Sequence, residues 1–388
     1  MSSAAPRTPI VDILRGWALL GVALVNFAIF YSFARVQRVP ADDWPSQITK
    51  LLVQVVFQGK GWPALALLFG YGFSAWISKM QARGIHPVPG FVRRMLWLLI
   101  IGVVNCALYY GDVLKDYAVV GFVVLLFWRR TPRTVLAWGL GCLLLFPAAI
   151  AIARAAGAES PVASPDIALY RSHDWLQVLR FGLQSGLHIA LSPGKYADWN
   201  LVMLGCALIG MYIQRVGWLE NVAASLPLIR RIFWLSLAFT VATAGARAAA
   251  MAVGWNPDAY FDISFWPMLG QTAFFMAAIC WLHARARLPG SFAALQGVGQ
   301  MTLTNYFVQN LVSLLLFSGV GLGLLHRLPY WAHVGIAAAL FIAQVYFSRY
   351  WLARYRIGPV EWMWRKLSRT VPVTRAAGKS SRWSRWQA

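Results

Sequence analysis

The sequence predicts an all-α, polytopic membrane bundle of about ten transmembrane helices with both termini on the cytoplasmic side. Three observations lead there. Hydrophobic residues fill 59% of the 388 positions and charged residues only 12%, about half the share usual in a soluble domain. The apolar positions gather in runs near the roughly 20 residues a helix needs to cross a bilayer, and mean hydropathy is +0.57. The charge is lopsided, with 35 Lys+Arg against 13 Asp+Glu and a formal net charge of +22. Such a chain has too little polar surface for a soluble globule and too much apolar mass for a disordered one.

Ten runs qualify, in order 12–33, 52–78, 94–110, 113–128, 135–152, 198–214, 231–253, 264–282, 299–318 and 331–350. The first opens with Arg15 and has no small-residue cleavage site after it, so it reads as a retained helix. The second is long, and the fourth and fifth are short or closely joined. The stretch near 166–192 is only half apolar and reads as an amphipathic helix lying at the surface. After the tenth run, Glu361 and Arg365 stand at i, i+4 and support a short helix, with Trp362 and Trp364 to seat it at the interface. Residues 1–370 therefore form one membrane domain, and 371–388 a basic cytoplasmic tail facing anionic lipid head groups.

Ten spans put both termini on one side. With the termini inside, the inner segments hold 24 of the 35 Lys+Arg and the outer ones 9, the asymmetry that orients membrane proteins. The cations that would suggest a nucleic-acid partner are thus a topological label. Cys106, Cys142, Cys206 and Cys280 stand singly within spans, and the six His are dispersed, so neither a metal set nor a redox pair is written here. No phosphate-binding loop or G-x-S-x-G elbow occurs, which argues against an ATP-driven pump or a conventional serine hydrolase. Oligomeric state is left open.

Polar side chains inside an apolar span are costly, so each is a functional candidate. Asp12, Arg15 and Asn26 share one face of the first span, with Arg15 near the inner surface and Asn26 about 16 Å further along the axis. Lys60 opens the second span's apolar half on its outer side. Asp112, Lys115 and Asp116 lie at the tight turn between spans three and four. Thr302, Asn305, Gln309 and Ser313 form a stripe along span nine, flanked by Tyr306 and Asn310, and Gln344 and Ser348 on span ten form a matching i, i+4 pair. Each group also has a structural reading: a helix-dipole Asp, snorkelling cations, a solvated turn, and interhelical hydrogen bonds.

Several segments resemble the YeiB-like family, domain-of-unknown-function family 418. They are Asp12-Ile13-Leu14-Arg15-Gly16-Trp17-Ala18, Gly59-Lys60 with Leu68-Phe69-Gly70-Tyr71-Gly72, and Gly111-Asp112-Val113-Leu114 with Tyr117-Ala118. Leu303-Thr304-Asn305-Tyr306 with Gln309, Gly321-Leu322-Gly323, and Gly358-Pro359-Val360-Glu361-Trp362-Met363-Trp364-Arg365 complete the resemblance, which runs from about residue 8 to 370. The first-span pattern is also similar to the start of integral-membrane acyltransferases. In their bacterial O-acyltransferase branch a catalytic His stands eleven residues after the Arg, where this chain has Asn26. The heparan-glucosaminide acetyltransferase branch resembles this chain in having Asn there, and His188 is the remaining histidine candidate.

The resemblance implies a bacterial cytoplasmic (inner) membrane protein that transfers an acyl group from cytosolic acyl-CoA to an envelope glycan, lipid or small molecule. It implies no permanently bound cofactor. Arg15, with Asp12 beside it, would hold the CoA phosphates; Asn26, Asn305 and Gln309 would supply amide donors; and Asp112 or Asp116 would act as base. Lys60, Tyr117, Tyr306, Gln344, Glu361 and Arg365 are the candidate substrate contacts. Two other classes stay open: a transporter or flippase using the polar interior as a pathway, and a non-catalytic scaffold.

Overall fold

Proline placement explains where many helices begin, since its fixed φ suits a first turn whose N–H groups have no intrahelical acceptor. The computed structural model describes residues 8–32, 43–157, 167–192, 194 and 199–368. The basic segment 371–388 lies outside the described residues. Fifteen α-helices occur among those described: α1 (Pro9–Ser32), α2 (Trp44–Val56), α3 (Gly61–Gln81), α4 (Pro87–Leu108), α5 (Leu114–Val124), α6 (Pro132–Ala155), α7 (Ile167–Tyr170), α8 (Trp175–Leu191), α9 (Leu201–Val216), α10 (Leu226–Ala252), α11 (Phe265–Ala284), α12 (Pro289–Gln300), α13 (Thr302–Phe317), α14 (Tyr330–Leu352) and α15 (Pro359–Leu367). No strand is found among the described residues.

Among the described residues, seven segments are long and apolar enough to cross a membrane: α1, the α2–α3 pair, α4, α6, α10, α11 and α14. Their enclosure differs sharply. In the most apolar stretch of α1, 72% of residues are buried, against 6% in α10. The first span is therefore the centre of the bundle, packed on α3, α12, α13 and α14, whereas α10 leans chiefly on α11. Close approach at the centre depends on missing side chains. A Cβ on Gly299 of α12 would lie 1.8 Å from the Asp12 carbonyl oxygen, and one on Gly16 of α1 would lie 2.0 Å from that of Leu295. These paired glycines let two backbones touch, the packing mode that membrane helices favour.

Breaks interrupt the second and ninth of the expected runs, and the turn between the third and fourth has its own local device. The second run divides at 57–60, where Gly59 adopts φ +78° and Lys60 donates to the Gln54 carbonyl at 2.6 Å. The ninth run starts late, because Met301 leaves helical geometry (φ −119°, ψ 35°) and separates α12 from α13. Between α4 and α5, Asp112 turns the chain by accepting from the backbone N–H groups of Leu114 at 2.9 Å and Lys115 at 3.2 Å. Helix α5 then tightens into a 3₁₀ turn over Leu125–Phe127, where Arg215 of α9 donates to the Phe127 and Trp128 carbonyls at 3.2 and 2.9 Å. At each of these places side chains meet freed backbone groups, as irregular backbone at membrane depth requires: Lys60 at the first, Glu361 just after Met301, Asp112 at the turn and Arg215 at the 3₁₀ turn.

Helix α8 carries the amphipathic stretch. It buries Val178, Phe181, Gly182 and Gly186 against the C-terminal end of α4, while Trp175, Leu176 and Leu191 remain exposed.

Candidate functional site

One face of α3 is built for a cavity. Leu65, Leu68, Phe69, Gly72, Phe73, Trp76 and Lys79 recur at helical spacing, and all of them line a chamber of about 460 Å³ enclosed by α1, α3, α4, α5, α13 and α15. Lys79 and Leu65 stand fourteen residues apart, so the chamber extends about 21 Å along this helix. It changes character with depth. Around the end where α1 starts, its lining carries Asp12, Arg15, Lys79, Arg94, Glu361 and Arg365; deeper in, Leu19, Leu68, Phe69, Met95, Leu98 and Leu114 make it apolar. Four cations against two carboxylates give the mouth a net positive charge.

Several mouth residues are held by local devices. The guanidinium of Arg15 pairs with Asp12 at 3.2 Å, with its side chain 30% exposed. Gly72 leaves room for it, since a Cβ there would come within 3.1 Å of Arg15 Nη2. The Tyr71 hydroxyl, also on the cavity wall, faces Thr8 within electrostatic reach of Arg15 and Glu220. Arg94 lies between two indoles, 4.3 Å from the Trp364 ring centre and 5.5 Å from that of Trp76, a geometry in which cation and ring attract.

Glu361 acts from outside as the cap of α13. Its carboxylate accepts from Leu303 N at 2.7 Å, Thr304 N at 3.2 Å and the Thr304 hydroxyl at 2.5 Å. These are orphan donors of a first helical turn, and a negative group there also suits the helix dipole. Trp364 Nε1 donates to the Arg94 carbonyl at 3.0 Å, and Arg93 to that of Leu367 at 3.1 Å. Helix α15 is thereby stapled to both α13 and α4 and forms one side of the mouth.

The deep end is a floor made by Val113, Leu114 and Tyr117 of the α5 start, with Tyr306 of α13. The Tyr117 hydroxyl donates to the Trp62 carbonyl at 2.9 Å, and its ring stacks on Phe69. Behind the floor sits a sealed ionic cluster. Asp112 accepts from Asn105 Nδ2 at 2.6 Å, Lys115 donates to the Asp112 carbonyl, and Lys115 pairs with Asp116 at 3.6 Å. All four are at most 4% exposed.

The structure thus brings Asp12, Arg15, Tyr117, Tyr306, Glu361 and Arg365 onto one cavity. It puts the other candidates elsewhere. Asp112 and Asp116 stand one residue behind lining positions and are committed to the floor. Asn305 donates to Val298 O at 3.2 Å and Ser348 Oγ at 3.1 Å, Gln309 to Gln344 Oε1 at 2.9 Å, and Gln344 back to the Asn305 carbonyl at 2.8 Å. Those amides form the α13–α14 seam. Lys60 lies at the α2–α3 break, and Asn26, half-buried on α1, is not part of the cavity lining. Sequence reasoning missed Tyr71, Trp76, Lys79, Arg94 and Trp364. The 3/4 spacing from Leu65 to Lys79 was the signal available for two of them, Trp76 and Lys79.

The C-terminal part of the chain, residues 213–370, matches the model of a protein family of unknown function, DUF418. Along nearly the whole chain it is similar to the uncharacterised protein YxaH of Bacillus subtilis, 26% identical over 94% of this chain and 96% of the relative. It is likewise similar to the uncharacterised protein YeiB of Escherichia coli, 28% identical over 96% and 97%, and to an uncharacterised 39.9 kDa protein of Bacillus acidopullulyticus, 24% identical over 95% and 96%. No solved structure matches the chain. The segment that matches the DUF418 model includes α13, α14 and α15, and with them the Glu361 cap and Arg365 of the mouth, and the similarity to YeiB runs from end to end.

Proposed function

We propose that this protein is a membrane acyltransferase that takes an acyl group from cytosolic acyl-CoA and passes it to an envelope glycan, lipid or small-molecule acceptor. The observation that carries the reading is the cavity itself, with a cationic mouth for phosphates and an apolar interior for an acyl chain. Guanidinium groups suit phosphate because they bind it bidentately, and Arg15 lies beside the space Gly72 keeps open. In the transfer, an acceptor oxygen or nitrogen attacks the thioester carbonyl carbon. The new C–O or C–N bond forms, the C–S bond breaks, and the acceptor's proton passes by way of a base to the departing CoA thiolate. Of the two carboxylates that line the cavity, Asp12, paired with Arg15, would take the base role, and Glu361 serves as the cap of α13.

The reading includes ten spans, because three shorter helices, α5, α9 and α13, join the seven long ones. Each is heavily buried, so protein rather than lipid meets its ends. It also includes cytoplasmic termini, a bacterial inner membrane, and anionic lipid around the exposed Trp362 and Met363 of α15.

The test is label transfer from acyl-CoA to an envelope fraction by detergent-purified protein. Arg15→Ala is expected to lose transfer with the fold intact. Absence of both transfer and CoA-dependent thermal stabilisation sinks the proposal, and flux into proteoliposomes without transfer would make the protein a carrier instead.

A further inference from the structure

Protein interiors are packed nearly as densely as organic crystals, and apolar voids larger than a water molecule are few. A cavity of about 460 Å³, open at its mouth and mostly apolar within, has the size and lining of a ligand site. Its lower walls are mainly leucine, phenylalanine and methionine above a floor that includes Tyr117 and Tyr306, with no charged side chain below the mouth. The occupant is apolar over most of its length. At about 30 Å³ per water-sized group, the volume holds roughly fifteen such groups, and a methylene is of similar size. An acetyl group would leave nearly all of it empty.

We infer that the chamber takes one long acyl chain, on the order of ten carbons or more, beneath a phosphate-bearing head at the mouth. Charge complementarity sets the head: Arg15, Lys79, Arg94 and Arg365 surround the entrance, and only Asp12 and Glu361 oppose them. A long-chain acyl-CoA and a lysophospholipid share this chemistry. The sealed Asn105–Asp112–Lys115–Asp116 cluster then has a purpose that catalysis does not supply. Through the bonds of Asp112 to Leu114 N and Lys115 N, it holds the start of α5 as a fixed stop, and the Tyr117 bond to Trp62 O locks the same surface from the other side. Met95, next to Arg94 in sequence and on the cavity wall, is an adaptable wall; its sulfur occupies the space a Cβ on Gly121 would invade at 2.4 Å. The inference rests on the cavity described above and not on transfer occurring.

The experiment is native mass spectrometry of the purified full chain with acetyl-CoA, decanoyl-CoA, palmitoyl-CoA and lysophosphatidic acid, for wild type and Leu98→Trp. Leu98 lies one turn below Arg94 on the cavity wall, so an indole there fills the passage to the floor. The expected result is at least about tenfold tighter retention of palmitoyl-CoA than of acetyl-CoA, one decade being about 1.4 kcal/mol. Leu98→Trp should abolish that preference. Leu98→Phe, a smaller change, serves if the Trp variant fails to fold, and should shift the preferred length downward. Retention of lysophosphatidic acid with the same dependence on position 98 supports the inference and names lipid as the source. Equal retention across chain lengths, or a length preference indifferent to both substitutions, overturns it while leaving short-chain transfer standing. Long-chain retention with no transfer to any acceptor upholds it and removes the acyltransferase reading.

Discussion

Removing the Glu361 carboxylate should release α15 from the bundle without unfolding the spans. Glu361→Ala deletes three hydrogen bonds, at 2.7, 3.2 and 2.5 Å, and leaves the Leu303 and Thr304 amides without their acceptor. A lost helix cap costs about 0.5–2 kcal/mol, and hydrogen bonds to a charged group contribute about 1.5–3 kcal/mol each. Water at the open mouth replaces part of what is lost, so about 2–3 kcal/mol for the whole contact is a reasonable working value. At about 1.36 kcal/mol per decade, that raises the opening equilibrium about 30- to 150-fold. Hydrogen exchange in nanodiscs reads it directly, at the Leu303 and Thr304 amides and across 359–367, since exchange reports local opening. Glu361→Gln, which keeps one acceptor oxygen but loses the charge and the second acceptor, should fall between. Gly358→Ala should reproduce the effect with the carboxylate intact, because a Cβ there would lie 2.2 Å from Glu361 Oε2 and 2.7 Å from Thr304 Oγ1. A change below about threefold, under half a decade on the same scale, would refute the stapling role of α15.

Two further outcomes follow from the polar groups outside the cavity. Gln309→Leu and Gln344→Leu, compared singly and together by denaturant titration in micelles, should show a coupling of about 0.6 kcal/mol, the usual worth of an interhelical bond in a membrane, with ligand retention unchanged. Lys60→Met loses one bond to the Gln54 carbonyl but also relieves a buried charge that is 3% exposed. Transfer should persist and stability should move by less than about 1 kcal/mol; abolished transfer would return Lys60 to the site.

The membrane class and the approximate positions of the helices were legible because they depend on composition and on local pattern. So was the polar stripe of α13, and so was its fit to Gln344 and Ser348, since both faces repeat at helical spacing. The helix breaks were harder to see. Gly59 sits inside an apolar run, and nothing local distinguishes a glycine that packs from one that takes a left-handed turn. Asp112 and Asp116 looked like acids at a rim, but the turn that carries them folds inward and is closed over by α5 and α13. Burial of that kind is contributed by other segments, so no window around 112–116 encodes it.

The sequence by itself determined that this chain is a bundle of apolar helices, where prolines start them, and which face of each is polar. Those properties follow from hydropathy, backbone sterics and the helical repeat, all short-range along the chain. Only the tertiary structure decided which polar faces meet. Arg15 and Arg365 are 350 positions apart, yet they line one mouth because Glu361 caps α13 and Gly299 lets α12 lie against α1. A helix's periodicity reports that it has a partner, and only the folded packing of all the helices says which one.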